Sequence, residues 1–356
     1  MHRANAAELA EEDGWILPLH FGDPLEEHRA VRSQVGILDL CHRGLLQLTG
    51  PDRVSYLQGL ASNDVKNLET GKGIHAAFLN IQGKVLADAR ILSTGDSFFL
   101  DLWESLKDKI LAHLNQYLIA DDVQIIDLTG QYGMISLQGP RVRSLLQELS
   151  AREEIPSGEL NHRTLKVNNT EIRVLSATHT GEDGYDLLIK IHDLSMVVSR
   201  LWEIGQRFCL RWIGLQAQEI LRVENGIPRY GVDMGEDNIL LETGLDHSVS
   251  FDKGCYLGQE IIERVRSRGH VNRKLVGLVL AAQTAVERGT VIYSDDKEIG
   301  KITSAVFSPT LERPVALGYV HRDYVAPGTK LSIVHQGESI PAEVSSLPFY
   351  KPPSQS

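Results

Sequence analysis

The sequence predicts an α+β protein, with two related α+β units followed by a C-terminal β-barrel. Three observations lead to this fold class: an internal repeat, the same succession of strand and helix patterns after each copy, and short apolar runs separated by Gly and Pro near the C-terminus. The length of 356 residues allows two or three domains and a sizeable core.

The repeat links residues 46–60, LQLTGPDRVSYLQGL, with residues 135–149, ISLQGPRVRSLLQEL. The positions that match in register are Leu48/Leu137, Gly50/Gly139, Pro51/Pro140, Ser55/Ser144, Leu57/Leu146, Gln58/Gln147 and Leu60/Leu149. Each copy predicts a short strand, a Gly-Pro turn and a helix that has the proline at its first position.

The patterns that follow each copy are also alike. After the first copy come strand-like runs at 76–81, 84–92 and 97–103, a helical pattern over 106–118 and a strand at 123–128. After the second come runs at 164–167, 171–177 and 185–191, then a helix that Asp193 is expected to cap. Each unit, at about 45–127 and 133–213, therefore has a ferredoxin-like β-α-β-β-α-β order with an extra strand. We expect both units to lie in one region, 1–265.

The rest of the chain has a different pattern. A helix is expected at 215–224, and a long loop rich in Gly, Asp and Glu follows it. Five apolar runs predict a small barrel over 270–350: they lie at 274–280, 290–294, 298–307, 315–320 and 330–334.

Composition excludes several classes of protein. The excess of 47 Asp+Glu over 36 Lys+Arg gives a formal net charge of −11, which argues against non-specific binding to nucleic acid or anionic membrane. Three distant cysteines cannot form a disulfide scaffold, and neither a CxxC pair nor a His cluster predicts a metal site. The start lacks the apolar core of a signal peptide, and the longest apolar run, 275–282, is too short to span a membrane. These features predict a cytoplasmic protein.

The first cluster of candidate functional residues is 253–274, KGCYLGQEIIERVRSRGHVNRK. Cys255 lies between Gly254 and Gly258, where the backbone can turn tightly and approach a ligand. Lys253 and the downstream arginines would favour a thiolate if they lie close to the sulfur. The alternative is a buried cysteine in a turn, followed by a solvated basic helix, and spacing alone favours this alternative.

Two further clusters carry carboxylates. In HTGEDGYDLLIK, 179–190, a carboxylate at the start of a strand can accept hydrogen bonds from a heterocycle, but the pattern alone favours a solvated hairpin tip. In 57–65 and 78–92, Asn63, Asp64 and Asp88 lie near strand or helix ends, where ligand-binding residues often occur. Their alternative role is in turns and helix ends.

These clusters, in this order, resemble the YgfZ-type folate-binding proteins, a branch of the superfamily of the glycine-cleavage T-protein (aminomethyltransferase). The resemblance covers about residues 20–345, and its most specific element is KGCYLGQE, 253–260, followed by Arg264. The other matching segments are LQGLASNDV, the N-x-x-G-x-x-x-x-D pattern from Asn80 to Asp88, TGEDGYD at 180–186 and LRVENGIPRYGVD at 221–233. The resemblance implies a three-lobed ring around a folate pocket.

Site residues follow from the same resemblance. It implies that Cys255, Lys253 and Asp88 carry the chemistry. It implies that Asp186 contacts the pteridine ring, in a position where Glu is commoner. The full set expected to bind tetrahydrofolate is Asp186, Glu182, Tyr185, Asn63, Asp64, Arg222, Gly254, Tyr256, Gly258, Gln259, Glu260 and Arg264.

The function implied is that of a tetrahydrofolate-binding accessory protein for the assembly or repair of iron–sulfur proteins, including tRNA-modifying enzymes, with iron–sulfur client or assembly proteins as partners. The alternative is a tetrahydrofolate-dependent aminomethyltransferase or other one-carbon transferase. Two departures argue against this alternative: Ala87-Asp88 in place of paired aspartates, and Cys255 with Gly258-Gln259 where T-proteins have a Gly-Lys or Gly-Arg pair. Direct RNA binding through 260–274 is disfavoured, because few aromatic residues accompany its arginines.

Overall fold

The structure is a computed structural model that describes residue 2 and residues 6–353. The chain forms two compact units. Unit 1 contains the chain up to Phe78, Ala87–Gln218 and Ser248–Tyr256. Unit 2 contains Leu79–Leu86, Glu219–His247 and the chain from Leu257 on. None of the described helices is long and apolar enough to cross a membrane.

Unit 1 begins with four elements that precede the repeat: β1 (Glu8–Glu12), β2 (Trp15–His20), α1 (Pro24–Ser33) and β3 (Val35–Asp39). The strands β1 and β2 form an antiparallel hairpin. The helix α1 begins at a proline, and the side chain of Asp23 accepts a hydrogen bond from Leu25 N at 2.9 Å, which satisfies one of the free N–H groups of the first turn.

The first copy of the repeat forms a five-stranded sheet with two helices. Its elements are β4 (Arg43–Thr49), α2 (Arg53–Leu60), β5 (Gly73–Leu79), β6 (Val85–Ser93), β7 (Phe98–Trp103), α3 (Glu104–Tyr117) and β8 (Gln124–Asp127). The strand order is β5-β6-β7-β4-β8. The helix α3 packs against β4 and β7.

The second copy repeats this arrangement. Its elements are β9 (Tyr132–Gln138), α4 (Val142–Leu149), β10 (His162–Val167), β11 (Thr170–Ser176), β12 (Gly184–Lys190), α5 (Ile191–Gly205) and β13 (Leu210–Trp212). The order β10-β11-β12-β9-β3-β13 equals that of the first sheet, except that β3 is inserted before the last strand. The α+β class is therefore confirmed.

Two local predictions about helix starts are wrong. The helices after the Gly-Pro turns begin at Arg53 and Val142, two residues beyond each proline, because the proline and the next residue form a turn first. The helix α5 begins at Ile191 after Lys190, so Asp193 lies in its first turn and does not cap it.

The two sheets pack face to face through an apolar cluster. The first sheet contributes Leu45, Leu92 and Phe99, and the second contributes residues such as Leu175 and Leu188. A larger core lies on the other face of the second sheet, where the apolar sides of α4 and α5 cover it. Since strand residues alternate between faces, residues two apart from these leucines also point into the gap between the sheets.

The Gly-Pro turns of the repeat require glycine for a steric reason. Gly50 and Gly139 have φ angles of +103° and +132°. A Cβ atom would lie 2.1 Å from Asp122 O at Gly50 and 2.4 Å from Gln34 O at Gly139. The matching glycines of the two copies therefore let another backbone segment approach closely.

We expect the Gly50→Ala variant to lose roughly 2–6 kcal/mol of unfolding free energy, because it combines a strained φ with an overpacked contact. Gly59→Ala is the matched control. Gly59 lies inside α2 with no atom near its added Cβ, so alanine there should stabilise the protein by roughly 0.5–1 kcal/mol. Urea denaturation measures both variants, and equal stability of the two would contradict the steric argument.

Unit 2 is built around the predicted barrel. Its strands are β14 (Arg273–Leu280), β15 (Val291–Ser294), β16 (Lys297–Ser308), β17 (Arg313–His321), β18 (Lys330–His335) and β19 (Glu338–Ser345), closed in the order β14-β17-β16-β15-β18-β19. The barrel prediction is confirmed, but the apolar runs missed β19, because polar residues make up half of its sequence, ESIPAEVS.

Two helices accompany the barrel strands in the chain: α6 (Leu215–Glu224), which begins in unit 1, and α7 (Gln259–Arg268). Single-turn 3₁₀ helices occur at Gln206–Phe208, Leu240–Glu242, Asp246–Ser248 and Arg322–Tyr324. The domain boundary predicted near residues 265–270 stays a prediction.

Candidate functional site

Charged residues occupy one end of the gap between the two sheets of unit 1. Arg90 on β6, Asp101 on β7 and Asp186 on β12 expose 8%, 0% and 1% of their surface. Each lies two residues from a member of the apolar inter-sheet cluster, namely Leu92, Phe99 and Leu188. Strand alternation therefore places all three side chains in the gap. With Arg43, His75, Asp88 and His179 they form what we call the inner polar cluster.

The centre of the inner polar cluster is a chain of ion pairs across the gap. Arg90 Nη1 lies 2.5 Å from Asp186 Oδ2, and the same guanidinium also pairs with Asp101. Arg43 Nε on β4 donates to Asp101 Oδ1 at 2.5 Å. On the outer side, His179 Nε2 lies 3.0 Å from both oxygens of Asp186. Arg90 thus joins a carboxylate of each sheet.

The pairing fixes the charge of Asp186. Burial disfavours its charged form, but the charges of His179 and Arg90 outweigh this effect and hold the pKa of Asp186 well below its usual range. Burial likewise disfavours the charged form of Arg90, and the two aspartates overcome it and raise the pKa of Arg90. Both groups remain charged at neutral pH, as a buried and fully paired network requires.

Asp88 lies on β6 beside Arg90 and has a different environment. Its Oδ2 is 3.0 Å from His75 Nε2 on β5. Its Oδ1 is buried and has no hydrogen-bond partner among the residues that the structure describes. Burial raises the pKa of Asp88, but the hydrogen bond and charge of His75, with Arg43, bring it below its usual range. Asp88 therefore presents one free oxygen of an ionised carboxylate.

The neighbouring Ala87 points the other way. It is completely buried, and strand alternation places it on the face of β6 opposite to Asp88 and Arg90. The sequence analysis counts Ala87 as the loss of one of two paired aspartates and as an argument against aminomethyl transfer. The structure shows that the aspartate present is the one in the inner polar cluster.

Other residues predicted near Asp186 lie apart from the gap. Glu182 is 4% exposed and pairs with Arg32 Nη1 at 3.1 Å. Tyr185 is adjacent to Asp186 on β12 and so points to the opposite face, into the core beneath α4 and α5. Arg143 Nη1 donates to the Tyr185 hydroxyl at 3.3 Å. In this structure both predicted ligand residues have structural contacts.

Lys253 has structural contacts in place of the expected thiolate partner. Its ammonium donates to the backbone oxygens of Gln58 and Ala61, at 2.7 and 2.5 Å, and so satisfies carbonyls at the end of α2. It also lies 4.9 Å from the ring centre of Tyr256. Burial lowers the pKa of Lys253 to about 8. Cys255 is exposed, and its role as a reactive thiolate stays a prediction.

Asn63 and Asp64 organise the loop that follows α2. Asn63 Oδ1 accepts a hydrogen bond from Asp64 N at 2.9 Å, and Asn63 Nδ2 donates to His75 O at 2.9 Å. Asp64 accepts from Gln58 and Asn67. These contacts agree with the turn role that spacing suggested. Asn63 is connected to the inner polar cluster through His75.

The remaining predicted site residues belong to unit 2. Arg222 is 6% exposed, and its guanidinium pairs with Glu219 and Asp233 and donates to Ser304 Oγ at 2.7 Å. Gly258 adopts φ +83° just before α7, where a Cβ would lie 2.6 Å from Asn80 O. Gln259 begins α7. Further along this helix, Arg264 pairs with Glu260 at 2.7 Å, and both side chains are at least half exposed.

Unit 2 also has a cleft of about 570 Å³ between the 231–238 loop and the barrel. Its charged lining residues are Asp233, Asp237, Arg273, Arg288, Glu298 and Lys301. Positive and negative side chains are equal in number there, so the cleft has no clear preference for one sign of charge. Among the described residues, no group of three or more His, Cys, Asp or Glu side chains could hold a metal ion.

Sequence reasoning missed five members of the inner polar cluster: Arg43, His75, Arg90, Asp101 and His179. A usable signal was present, because Arg90 and Asp101 stand inside apolar strand patterns, ADARIL and FFLDLW. A charge in a buried strand requires a partner of opposite sign. The identity of that partner depends on how the two sheets pack against each other, and the local sequence pattern carries no information about this packing.

Unit 1 contains two facing sheets of matching strand order with a charged cluster between them, and unit 2 contains a closed six-stranded barrel. Comparison with known families identifies the class of protein that has these features. The domain family described as "GCVT N-terminal domain" matches residues 1–253. The domain family described as "Glycine cleavage T-protein C-terminal barrel domain" matches residues 273–351. The chain belongs to the glycine cleavage T-protein (GCVT) family.

Individual relatives agree with this assignment. The aminomethyltransferase of Desulfitobacterium hafniense (strain DSM 10664 / DCB-2) is 30% identical over 354 residues, which are 98% of this chain and 96% of the relative. That of Rubrobacter xylanophilus is 31% identical over 353 residues, 98% and 92% of the two chains. The crystal structure of the glycine cleavage system aminomethyltransferase T from Bartonella henselae has the same fold, with a TM-score of 0.91, 24% identity and 99% and 96% coverage.

These relatives correct the function expected from the sequence. The prediction of an accessory protein for iron–sulfur proteins was wrong, because the curated relatives that match nearly the whole chain are named aminomethyltransferase. The comparisons support the wider superfamily, and they give no support to the YgfZ branch, to iron–sulfur partners or to a link with tRNA modification. The segment KGCYLGQE was given too much weight relative to the rest of the chain.

Proposed function

We propose that this chain is a tetrahydrofolate-dependent aminomethyltransferase, an enzyme that transfers the aminomethyl carbon of a sulfur carrier to tetrahydrofolate. The observation that carries the proposal is the match of nearly its whole length to aminomethyltransferases at 30–31% identity. The inner polar cluster supports it, because buried carboxylates and arginines are gathered where a polar substrate can be held and protons moved.

The reaction requires proton transfer. An S-aminomethyl ammonium group and two N–H groups of tetrahydrofolate become a methylene bridge between the two nitrogens, a free thiol and an ammonium ion. The two nitrogen-bound protons of tetrahydrofolate are therefore lost. One protonates the departing sulfur to give the thiol, and the other protonates the departing ammonia to give the ammonium ion. A side chain that accepts a proton and returns it lowers the barrier to such a step.

Asp88 has the properties of that side chain. It is ionised, and its buried Oδ1 has no hydrogen-bond partner among the described residues, so this oxygen keeps an unused acceptor position. The inner polar cluster contains three carboxylates, from Asp88, Asp101 and Asp186, and two guanidinium groups, from Arg43 and Arg90. When its histidines are neutral, the cluster therefore has an excess of one negative charge. This excess favours a positively charged aminomethyl group. The contact of Asp186 with the pteridine ring remains a prediction.

A turnover assay tests the proposal. The protein is mixed with tetrahydrofolate and an aminomethylated dihydrolipoyl carrier protein, and formation of methylenetetrahydrofolate is followed. We expect catalytic turnover. Failure to turn over under conditions in which the Desulfitobacterium hafniense relative is active would contradict the proposal. Cys255→Ser is the informative variant: the proton balance needs no protein thiol, so turnover should stay within about twofold of wild type. A large loss would restore the thiol to the mechanism.

A further inference from the structure

His75 is the side chain that holds the proposed proton-transfer group. Its Nε2 lies 3.0 Å from Asp88 Oδ2, and its backbone oxygen accepts a hydrogen bond from Asn63 Nδ2 at 2.9 Å. His75 and Asp88 have similar side-chain exposures of 18% and 17%, which places them at the edge of the inner polar cluster. The remaining oxygen of Asp88 has no partner among the described residues.

Among the described side chains around Asp88, His75 makes the hydrogen bond to the carboxylate, and the other charged side chains are engaged elsewhere. Arg43 on β4 acts on Asp88 through its charge, and its Nε donates to Asp101. Arg90, two residues along β6, is engaged by Asp101 and Asp186. Glu159, which precedes β10, interacts electrostatically with His75 and Arg90.

We propose that His75 is a positioning residue for aminomethyl transfer: it holds Asp88 through Oδ2 and leaves the buried Oδ1, which has no described partner, as the oxygen that accepts the substrate proton. This inference rests on the proposed function. A carboxylate held at one oxygen by an N–H donor has a fixed plane, and a fixed plane matters because proton transfer requires close alignment of donor and acceptor. The hydrogen bond between Asn63 and the His75 backbone adds a second point that fixes the pair.

The ionisation of Asp88 should depend on His75. Burial raises the pKa of Asp88, and the hydrogen bond and charge of His75 are the main opposing effects. When His75 is removed, burial and the weaker effect of Arg43 remain. The pKa of Asp88 should then rise, and the acid limb of the pH profile should move to higher pH.

Three variants test the proposal. His75→Ala removes the donor, and His75→Gln keeps a neutral N–H donor. The matched control is His192→Ala, which breaks the surface pair of His192 with Asp193 at 3.2 Å. We expect His75→Ala to lower kcat by about 10–100-fold with KM nearly unchanged, since it misplaces a reacting group. His75→Gln should recover most of kcat, and His192→Ala should match wild type.

A second measurement does not depend on activity. Carbon-13 NMR titration of Asp88, without substrate, should show a higher pKa in His75→Ala than in wild type or His192→Ala. An unchanged Asp88 pKa together with normal kcat in His75→Ala would overturn the inference. If wild type itself has no aminomethyl transfer activity, the proposed function fails. The titration still decides whether His75 controls Asp88.

Discussion

The Asp88→Asn variant should lose about 10²–10⁴-fold in kcat for aminomethyl transfer while it remains folded, because the amide cannot accept a proton at neutral pH. The substitution preserves shape. Asp88 is at the edge of the inner polar cluster, and no buried ion pair depends on it, since its partner His75 is itself partly exposed. Steady-state kinetics and thermal unfolding of the same preparation separate the two effects.

The control for Asp88→Asn is Asp193→Asn, which alters the other side of the surface pair with His192. Both substitutions neutralise an aspartate that contacts a histidine, but only Asp88 lies in the inner polar cluster. Turnover of Asp193→Asn should equal that of wild type. Normal kcat in Asp88→Asn would remove Asp88 from the chemistry and return the search to the other predicted residues.

The Asp186→Ala variant should lose about 3–5 kcal/mol of unfolding free energy at pH 7, a large effect for a single substitution. The reason is that Arg90 would keep its charge in a buried position with one partner fewer. Chemical denaturation measures the loss. Glu171→Ala, which removes an exposed carboxylate from the adjacent strand β11, should change stability by no more than about 0.5 kcal/mol.

The loss caused by Asp186→Ala should depend on pH with a definite sign. The folded-state pKa of Asp186 is lower than in the unfolded chain, so its stabilising contribution is complete above the unfolded-state pKa and is lost as pH falls toward the folded-state value. The stability difference between wild type and variant should therefore shrink below about pH 4. A constant difference down to acid unfolding would show that the effect comes from packing and not from charge.

The sequence predicted the architecture because the signals for it are local. Gly50 and Gly139 marked the two copies, and alternating apolar residues marked the strands and the barrel. The insertion of β3 between β9 and β13 was not predictable, because VGILD has no polar–apolar alternation before its final Asp39 and its partners lie about a hundred or more residues away. Sheet pairing at such distances depends on tertiary packing.

The candidate site was only partly predictable for the same reason. Asp88 and Asp186 were found by motif, but the role of Arg90 required knowledge of how two sheets meet. The sequence predicts that Lys253 acts on a thiol. In the structure its ammonium group donates hydrogen bonds to the backbone carbonyls of Gln58 and Ala61. A basic residue near a cysteine in sequence reveals nothing about helix ends that lie two hundred residues earlier. The excess weight given to one short motif also led to the wrong biological role.

The ion pair of Arg90 with Asp186 has a consequence for the independence of the two repeat units. Each repeat unit contributes one charge to this contact, in addition to the partner that each charge has in its own unit, Asp101 for Arg90 and His179 for Asp186, and the apolar gap beside it would expose several leucines if the units were separated. Separation of the two units would leave both buried charges with one partner fewer and would expose the apolar surface of the gap, so we expect neither unit to be stable as an isolated fragment.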